Sequence, residues 1–226
     1  MKNYVILSEK SWNSTLIKSL SKKTEYNWIL ISSKHEFTFE NLKTINPEKI
    51  FIPHWSYIIP SNIFNFFECI VFHMTDLPFG RGGSPLQNLI LLGHKKTKIS
   101  ALKVNKLIDS GDIYLKKELY LNGKAQQIYE RASDIIFKMI LEIVKKNPLP
   151  KKQEGEPTFF KRREPHMSNI KNLNNLEKAY DFIRMLDANG YPRAFLETDF
   201  FRFEFSNAEL SNDENNIKAN VRIIKK

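Results

Sequence analysis

His73 closes an apolar run, Cys69–Phe72, and leads into Met74-Thr75-Asp76-Leu77-Pro78-Phe79-Gly80-Arg81-Gly82-Gly83-Ser84. An imidazole exchanges its proton near neutrality, which suits acid–base work at a strand end. Asp109 follows 36 residues later in a turn, Asp109-Ser110-Gly111-Asp112, and a carboxylate there can orient an imidazole or take a proton through water. Singly, each has a plain structural reading: a hydrogen-bonded strand-end histidine, and an aspartate stabilising its own turn. The glycines flanking Arg81 let backbone N–H groups approach a ligand. The loop nevertheless lacks the lysine of a P-loop and the spacing of a dinucleotide fingerprint. His35, His54, His94 and His166 fall into no metal-ligand spacing, and Cys69 is the one cysteine, so no metal is expected.

These residues need elements to hold them. Tyr4–Leu7, Asn27–Ile31, Lys49–Ile52 and Cys69–Phe72 read as strands, the last buried on both faces. Helices are expected over about Trp12–Leu20, with Ser11 as N-cap, over Phe37–Ile45, and from Pro85 to Leu92 behind a helix-start proline. Ile99–Val104 and Ile113–Leu121 follow as strands, then a long amphipathic helix, Ala125–Lys146. The alternation predicts an α/β fold: a Rossmann-like, doubly wound, mostly parallel sheet whose strand ends carry His73 and Asp109. Beyond it, Leu173–Leu186 reads as a helix with Leu173, Leu176, Tyr180, Ile183 and Leu186 on one stripe. Phe195–Leu196, Phe200–Phe205 and Ile217–Ile224 read as short strands. The expected division is a main domain over 1–147, a basic crossover over 148–171, and a small helix and β-ribbon unit over 172–226.

The 226 residues are 42% hydrophobic, enough for a packed core, and carry a net charge of +10. Much of the excess gathers in the crossover, where Lys145, Lys146, Lys151, Lys152, Lys161, Arg162 and Arg163 meet only Glu154 and Glu156. Such a charge is compatible with an anionic substrate and is also what a solvated face looks like. The lone cysteine, an N-terminal apolar run too short for a signal peptide and the lack of any long apolar stretch predict a cytoplasmic protein without membrane attachment.

Together, His73, Leu77-Pro78, Arg81-Gly82 and Asp109-Ser110-Gly111-Asp112 resemble the N10-formyltetrahydrofolate-dependent formyltransferase family, in order and spacing. That family includes methionyl-tRNA formyltransferase and the sugar N-formyltransferases of surface-glycan synthesis. Its pattern is Asn-x-His-x-Ser-Leu-Leu-Pro, a basic glycine-containing loop, and Leu-Asp-x-Gly-Asp. Ile52–Pro60 is similar to the family's segment lining the folate pocket, and Asp187–Glu197 to the opening of its C-terminal region. Three positions depart from the pattern: Val71 stands where the family has its catalytic asparagine, Thr75 where it has serine, and Asp76 where it has the first leucine.

The resemblance implies formyl transfer from N10-formyltetrahydrofolate to a primary amine, with His73 and Asp109 catalytic. It also implies that Trp55, Ser56 and Tyr57 on one side and Leu107 and Ile108 on the other hold the pterin. With Val71 unable to donate, Thr75, Gln87 and Asn88 are candidates for the missing oxyanion donor, and Phe79 lies in the same substrate loop. Arg81, Arg162 and Arg163 are candidates for acceptor phosphates. Methionyl-tRNA formyltransferase carries a separate C-terminal barrel, which finds no room here. The expected acceptor is therefore a small molecule, an amino-sugar nucleotide, with nucleic acid disfavoured. The alternatives are a methionyl-tRNA-type formyltransferase, or a folate-binding or deformylase relative. A homodimer is left open.

Overall fold

The computed structural model describes residues 1–213 and 215–226, without the side chains of Ser11 and Ser14. They form two compact units, each assembled from separate stretches of chain: Met1–Gly82, Thr97–Leu119 and Glu130–Phe159 in the first, Gly83–Lys96, Tyr120–Tyr129 and Phe160–Lys226 in the second.

The first unit is built on a six-stranded sheet. Its strands are β1 (Asn3–Ser8), β2 (Asn27–Ile31), β3 (Lys49–His54), β4 (Cys69–His73), β5 (Lys96–Lys103) and β6 (Ile113–Tyr120), in the order β2-β1-β3-β4-β5-β6. β2, β1, β3 and β4 are parallel, as the alternation with helices predicts, while β5 runs antiparallel to β4. Their near-continuous apolar sequences suit strands covered on both faces, and Val5, Ile6, Leu7, Ile50, Phe51 and Ile70 are fully buried. β5 starts earlier than its apolar stretch suggests, because Lys96-Thr97-Lys98 extends the strand without itself being buried core.

Three short helices, α1 (Ser14–Lys23), α2 (Phe39–Ile45) and α3 (Ser61–Phe64), connect the early strands. α1 follows a 3-10 turn with Asn13 at its N-cap, two residues after the expected Ser11, whose side chain lies outside the described ones. α2 starts at Phe39 because Thr38 caps it, its hydroxyl accepting the Asn41 N–H. After α4 (Pro85–Leu91), the long α5 (Ala125–Lys146) buries Ala132, Ile136, Met139, Ile140 and Ile143 at helical spacing. Lys145 and Lys146 in its last turn complement the helix dipole.

The second unit holds α4, the first turn of α5, α6 (Leu176–Leu186) and an antiparallel sheet of β7 (Ala194–Glu197), β8 (Phe201–Leu210) and β9 (Ile217–Lys225), in the order β9-β8-β7. α6 begins at Leu176 rather than Leu173 because the Asn175 side chain accepts the Lys178 N–H, leaving Leu173 in the preceding turn. Arg184 is buried and satisfied, pairing with Asp181 and donating to the carbonyls of Leu121 and Gly123. Asp187 is buried too, accepting from Arg193 and from the Asn207 N–H, so it ties the Asp187–Pro192 turn to β8. Neither polar anchor shows in a hydrophobicity pattern. Among the described residues no helix is long and apolar enough to cross a membrane.

Candidate active site

β4 ends one residue later than its apolar run, so His73 is its last residue, buried and paired in register with Ser100 of β5. Ser100 pins the loop that leaves the strand: its hydroxyl donates to the Thr75 carbonyl (2.7 Å) and accepts from the Leu77 N–H (3.3 Å). The imidazole Nε2 lies 2.8 Å from the Gly80 carbonyl oxygen. A carbonyl only accepts, so Nε2 carries the hydrogen in this contact. The other ring nitrogen, Nδ1, lies 3.5 Å from Asp109 Oδ2. A histidine and an aspartate far apart in sequence are thus brought side by side.

The turn carrying Asp109 is fixed by close packing. Asp109 has a left-handed backbone, φ +50°, a conformation that aspartate tolerates better than most residues. A Cβ on Gly111 would sit 1.7 Å from the Lys103 carbonyl oxygen, so only glycine lets the turn lie against the end of β5. The Gly82 N–H donates to Asp109 Oδ2 at 2.9 Å, joining the glycine loop to the carboxylate. Oδ1 has no protein partner among the described residues, which leaves it for a reacting group.

Gln153 also belongs here, although its residue type and position do not single it out in the sequence. Its amide donates to the carbonyls of Asp109 and Gly111, both at 2.9 Å, and its oxygen accepts from Arg81 Nε and Nη2 at 3.2 and 2.7 Å. Five residues on, the Thr158 hydroxyl accepts the Gly80 N–H (2.7 Å) and its carbonyl accepts the Arg81 N–H (2.9 Å). The signal was a glutamine in a basic, proline-broken segment, which composition reads as linker.

Of the expected pterin-side residues, Trp55 is half-buried on the apolar core, edge-on to Phe37 and Tyr57. Ser56 is exposed, and Tyr57 is 44% exposed with Lys34 Nζ 4.9 Å from its ring centroid. Leu107 and Ile108 are 68% and 65% exposed. Large apolar side chains left open beside the ends of strands fit a flat, partly apolar ligand. Burial, with the Lys10 charge adding to it, pushes the nearby His54 down to about 4, so this histidine stays neutral at physiological pH.

The expected oxyanion donors are spent elsewhere. Thr75 is fully buried, its hydroxyl directed at the Gly80 carbonyl (3.4 Å). Gln87 is a core residue of the second unit, its amide donating to Tyr129 and to the Met185 carbonyl. Asn88, in the same unit, donates to the carbonyls of Gly83, Ser84 and Lys161. Phe79 is half-buried, with its N–H on the Asp76 carbonyl. Arg162 is exposed. Arg163 is held by the Met167 carbonyl and stands over the Phe182 ring, so it serves packing as much as any ligand. Val71 packs with Trp55 and Val104 against the apolar core, one strand position pair before His73 on the same face.

Asp76 receives Lys98 at 2.8 Å and Lys116 at 2.5 Å, and Lys116 also donates to the Leu77 carbonyl. Partial burial raises its pKa, but the two ammonium groups outweigh that and hold the carboxyl below its usual 3.8. A carboxylate favoured in the folded state stabilises it above the unfolded pKa and ceases to do so as pH falls through the folded one. Asp76→Asn should therefore lower the melting temperature above about pH 5, with the difference fading below 3.8. Melting curves of both proteins from pH 7 to pH 3 check this; a difference that persists at pH 3 would remove the ion pairs from the account. Elsewhere, burial, with Glu68 adding to it, pushes the Cys69 thiol up to about 12, which rules it out as a nucleophile at neutral pH. Among the described residues no three His, Cys, Asp or Glu side chains group to hold a metal ion.

A solved methionyl-tRNA formyltransferase from Clostridium thermocellum is 55% identical to this chain, covers both chains completely and superposes with a TM-score of 0.97. This chain belongs to the formyltransferase family. Residues 165–224 match the family model described as the methionyl-tRNA formyltransferase C-terminal domain. The formyltransferase of the same name from Ehrlichia canis is 27% identical over 73% of this chain and 55% of its own length. The chain thus spans little more than half the length of that curated relative. HypX from Aquifex aeolicus, solved in complex with tetrahydrofolic acid, shares the fold at 15% identity and a TM-score of 0.76, covering 92% of this chain and 38% of its own.

These relatives correct the expected acceptor. The expectation of an amino-sugar nucleotide rests on chain length alone. A chain matched end to end carries the methionyl-tRNA name, so chain length does not separate the two branches. The companion expectation that nucleic acid is disfavoured falls with it, since the curated relatives bear that name as well.

Proposed function

We propose that this protein transfers a formyl group from N10-formyltetrahydrofolate to the amine of methionyl-tRNA. The observation that carries the reading is the His73–Asp109 pair, Nδ1 to Oδ2 at 3.5 Å, at the end of β4. The 55% identity to a methionyl-tRNA formyltransferase supports the acceptor, and a net charge of +10 suits a polyanion. The folate complex of HypX supports the donor. When bound, the donor supplies the formyl carbon, and Trp55, Tyr57, Leu107 and Ile108 would hold its ring system.

An attacking amine must lose a proton as its nitrogen bonds to the formyl carbon, and the donor nitrogen must gain one as its own bond to that carbon breaks. Asp109 is placed to take the amine's proton, because Oδ1 has no partner among the described residues while Oδ2 is held by the Gly82 N–H. His73 Nδ1 faces Oδ2 and is placed to share the proton that the carboxyl group takes up. The ring is held from its far side by the Gly80 carbonyl, which fixes its orientation as the aspartate of a triad fixes its histidine. Arg81 stands on the adjoining loop, suited to a phosphate near the acceptor terminus. Such a reaction belongs where translation is initiated, in keeping with a cytoplasmic protein.

The test incubates the purified protein with N10-formyltetrahydrofolate and either methionyl-tRNA or free methionine. Formylated methionyl-tRNA should accumulate, with a rate that falls steeply as salt rises. Release of formate without formylated amine would favour the deformylase relative. Folate binding with neither product would favour the folate-binding one.

A further inference from the structure

Gln153 hydrogen-bonds both halves of the first unit's loop cluster, the Asp109 turn and the Arg81 loop. Its carboxamide uses both ends. The NH2 group donates to the carbonyls of Asp109 and Gly111, which bracket the left-handed residue and the close-packed glycine. The oxygen accepts twice from one guanidinium, turning Arg81 into a fixed direction rather than a free side chain. The segment that bears it is anchored at both ends: Lys151 exchanges backbone hydrogen bonds with Ile113 (2.7 and 2.9 Å), and Thr158 binds the backbone of Gly80 and Arg81. A short strap of the basic crossover is therefore stretched across the site, with Gln153 at its centre.

We infer that Gln153 is a positioning residue that sets the Asp109 carboxylate through its donors and aims Arg81 at the acceptor through its oxygen. This deepens the formyl-transfer reading and rests on it. The two ends of the carboxamide then serve two steps. The donor end holds the turn on which proton transfer depends, and a displacement of about 1 Å there can cost on the order of 10²-fold in rate. The acceptor end holds the cation that binds the substrate, so its loss falls on affinity.

Two substitutions separate the ends. Gln153→Glu keeps oxygens for Arg81 but turns a carboxylate on the Asp109 and Gly111 carbonyls. It should lower kcat by on the order of 10²-fold with little change in KM for methionyl-tRNA. Gln153→Lys keeps a donor for those carbonyls and repels Arg81. It should raise KM by about tenfold with kcat little changed, the order of one charge-assisted hydrogen bond. Equal effects of both variants on kcat and KM, or no effect of either, would overturn the assignment.

A second readout stands apart from activity. Amide hydrogen exchange at Gly82, which donates to Asp109, and at Lys103, which donates to the Asp112 carbonyl, reports the turn directly. Exchange there should quicken in Gln153→Glu and stay near the parental rate in Gln153→Lys; unchanged exchange in Gln153→Glu would overturn the bracing. If the parent protein formylates nothing, the functional reading fails by itself and exchange alone decides the role of Gln153.

Discussion

Replacing His73 by alanine, or Asp109 by asparagine, should cut formyl transfer to methionyl-tRNA by about 10²–10⁴-fold, the usual worth of a positioned acid–base group. Asp109→Asn is the cleaner variant. Its carbonyl oxygen can still accept the Gly82 N–H, so the turn should keep its shape while the proton acceptor is gone. His73→Ala removes both the partner of Asp109 and the donor to the Gly80 carbonyl, so some loop order goes with the chemistry. Folate binding should survive in both, because the proposed pterin side, Trp55, Tyr57, Leu107 and Ile108, is untouched. The measurements are turnover with saturating substrates, folate binding by fluorescence, and a melting curve. Near-parental turnover in Asp109→Asn, with the fold intact, would remove Asp109 from the chemistry and leave His73 without a proton partner.

The parallel part of the fold was legible because strands such as β1 and β3 are buried on both faces and therefore continuous in hydrophobicity: Tyr4–Leu7 and Lys49–Ile52 fall within them. The antiparallel entry of β5 was not, since hydrophobicity marks a strand but not its direction. Within the site, His73 and Asp109 could be read from residue types and order, as both follow the family pattern. Gln153 could not, because its role comes from geometry between two loops that meet only in the folded chain. Gln87 illustrates the opposite error. An amide on a helix just after a glycine loop looks available, yet a buried tyrosine hydroxyl and a backbone carbonyl had already claimed it. Buried polar groups are almost always satisfied, so the sequence overcounts free donors. The acceptor was misread for a related reason: length stood in for a recognition surface that residue types alone do not define.

Because the alternative donors are spent, Val71→Asn should raise kcat. The family has asparagine at this position, two residues before its histidine, and in a strand that spacing puts both side chains on one face. Thr75 is committed to the Gly80 carbonyl, Arg81 to Gln153, Gln87 to Tyr129 and Met185, and Asn88 to three carbonyls. No side-chain amide or hydroxyl among them is left for an oxyanion. One such donor is worth about 10²–10³ in kcat, so adding it should raise turnover by that order. The substitution has a cost. Val71 is half-buried between Ile52 and Leu102 and packs against the apolar core. An amide there loses apolar contact and is partly desolvated, about 1–3 kcal/mol when its hydrogen bonds go unmade. Val71→Asn should therefore melt at a lower temperature than the parent while turning over faster, and KM should move little, because the donor acts on charge that develops only in the transition state. Val71→Ala serves as the control: it loosens the same packing without supplying a donor and should lose stability with no gain in rate. A Val71→Asn protein that folds but turns over no faster than its parent would mean that a group other than these side chains already serves the oxyanion.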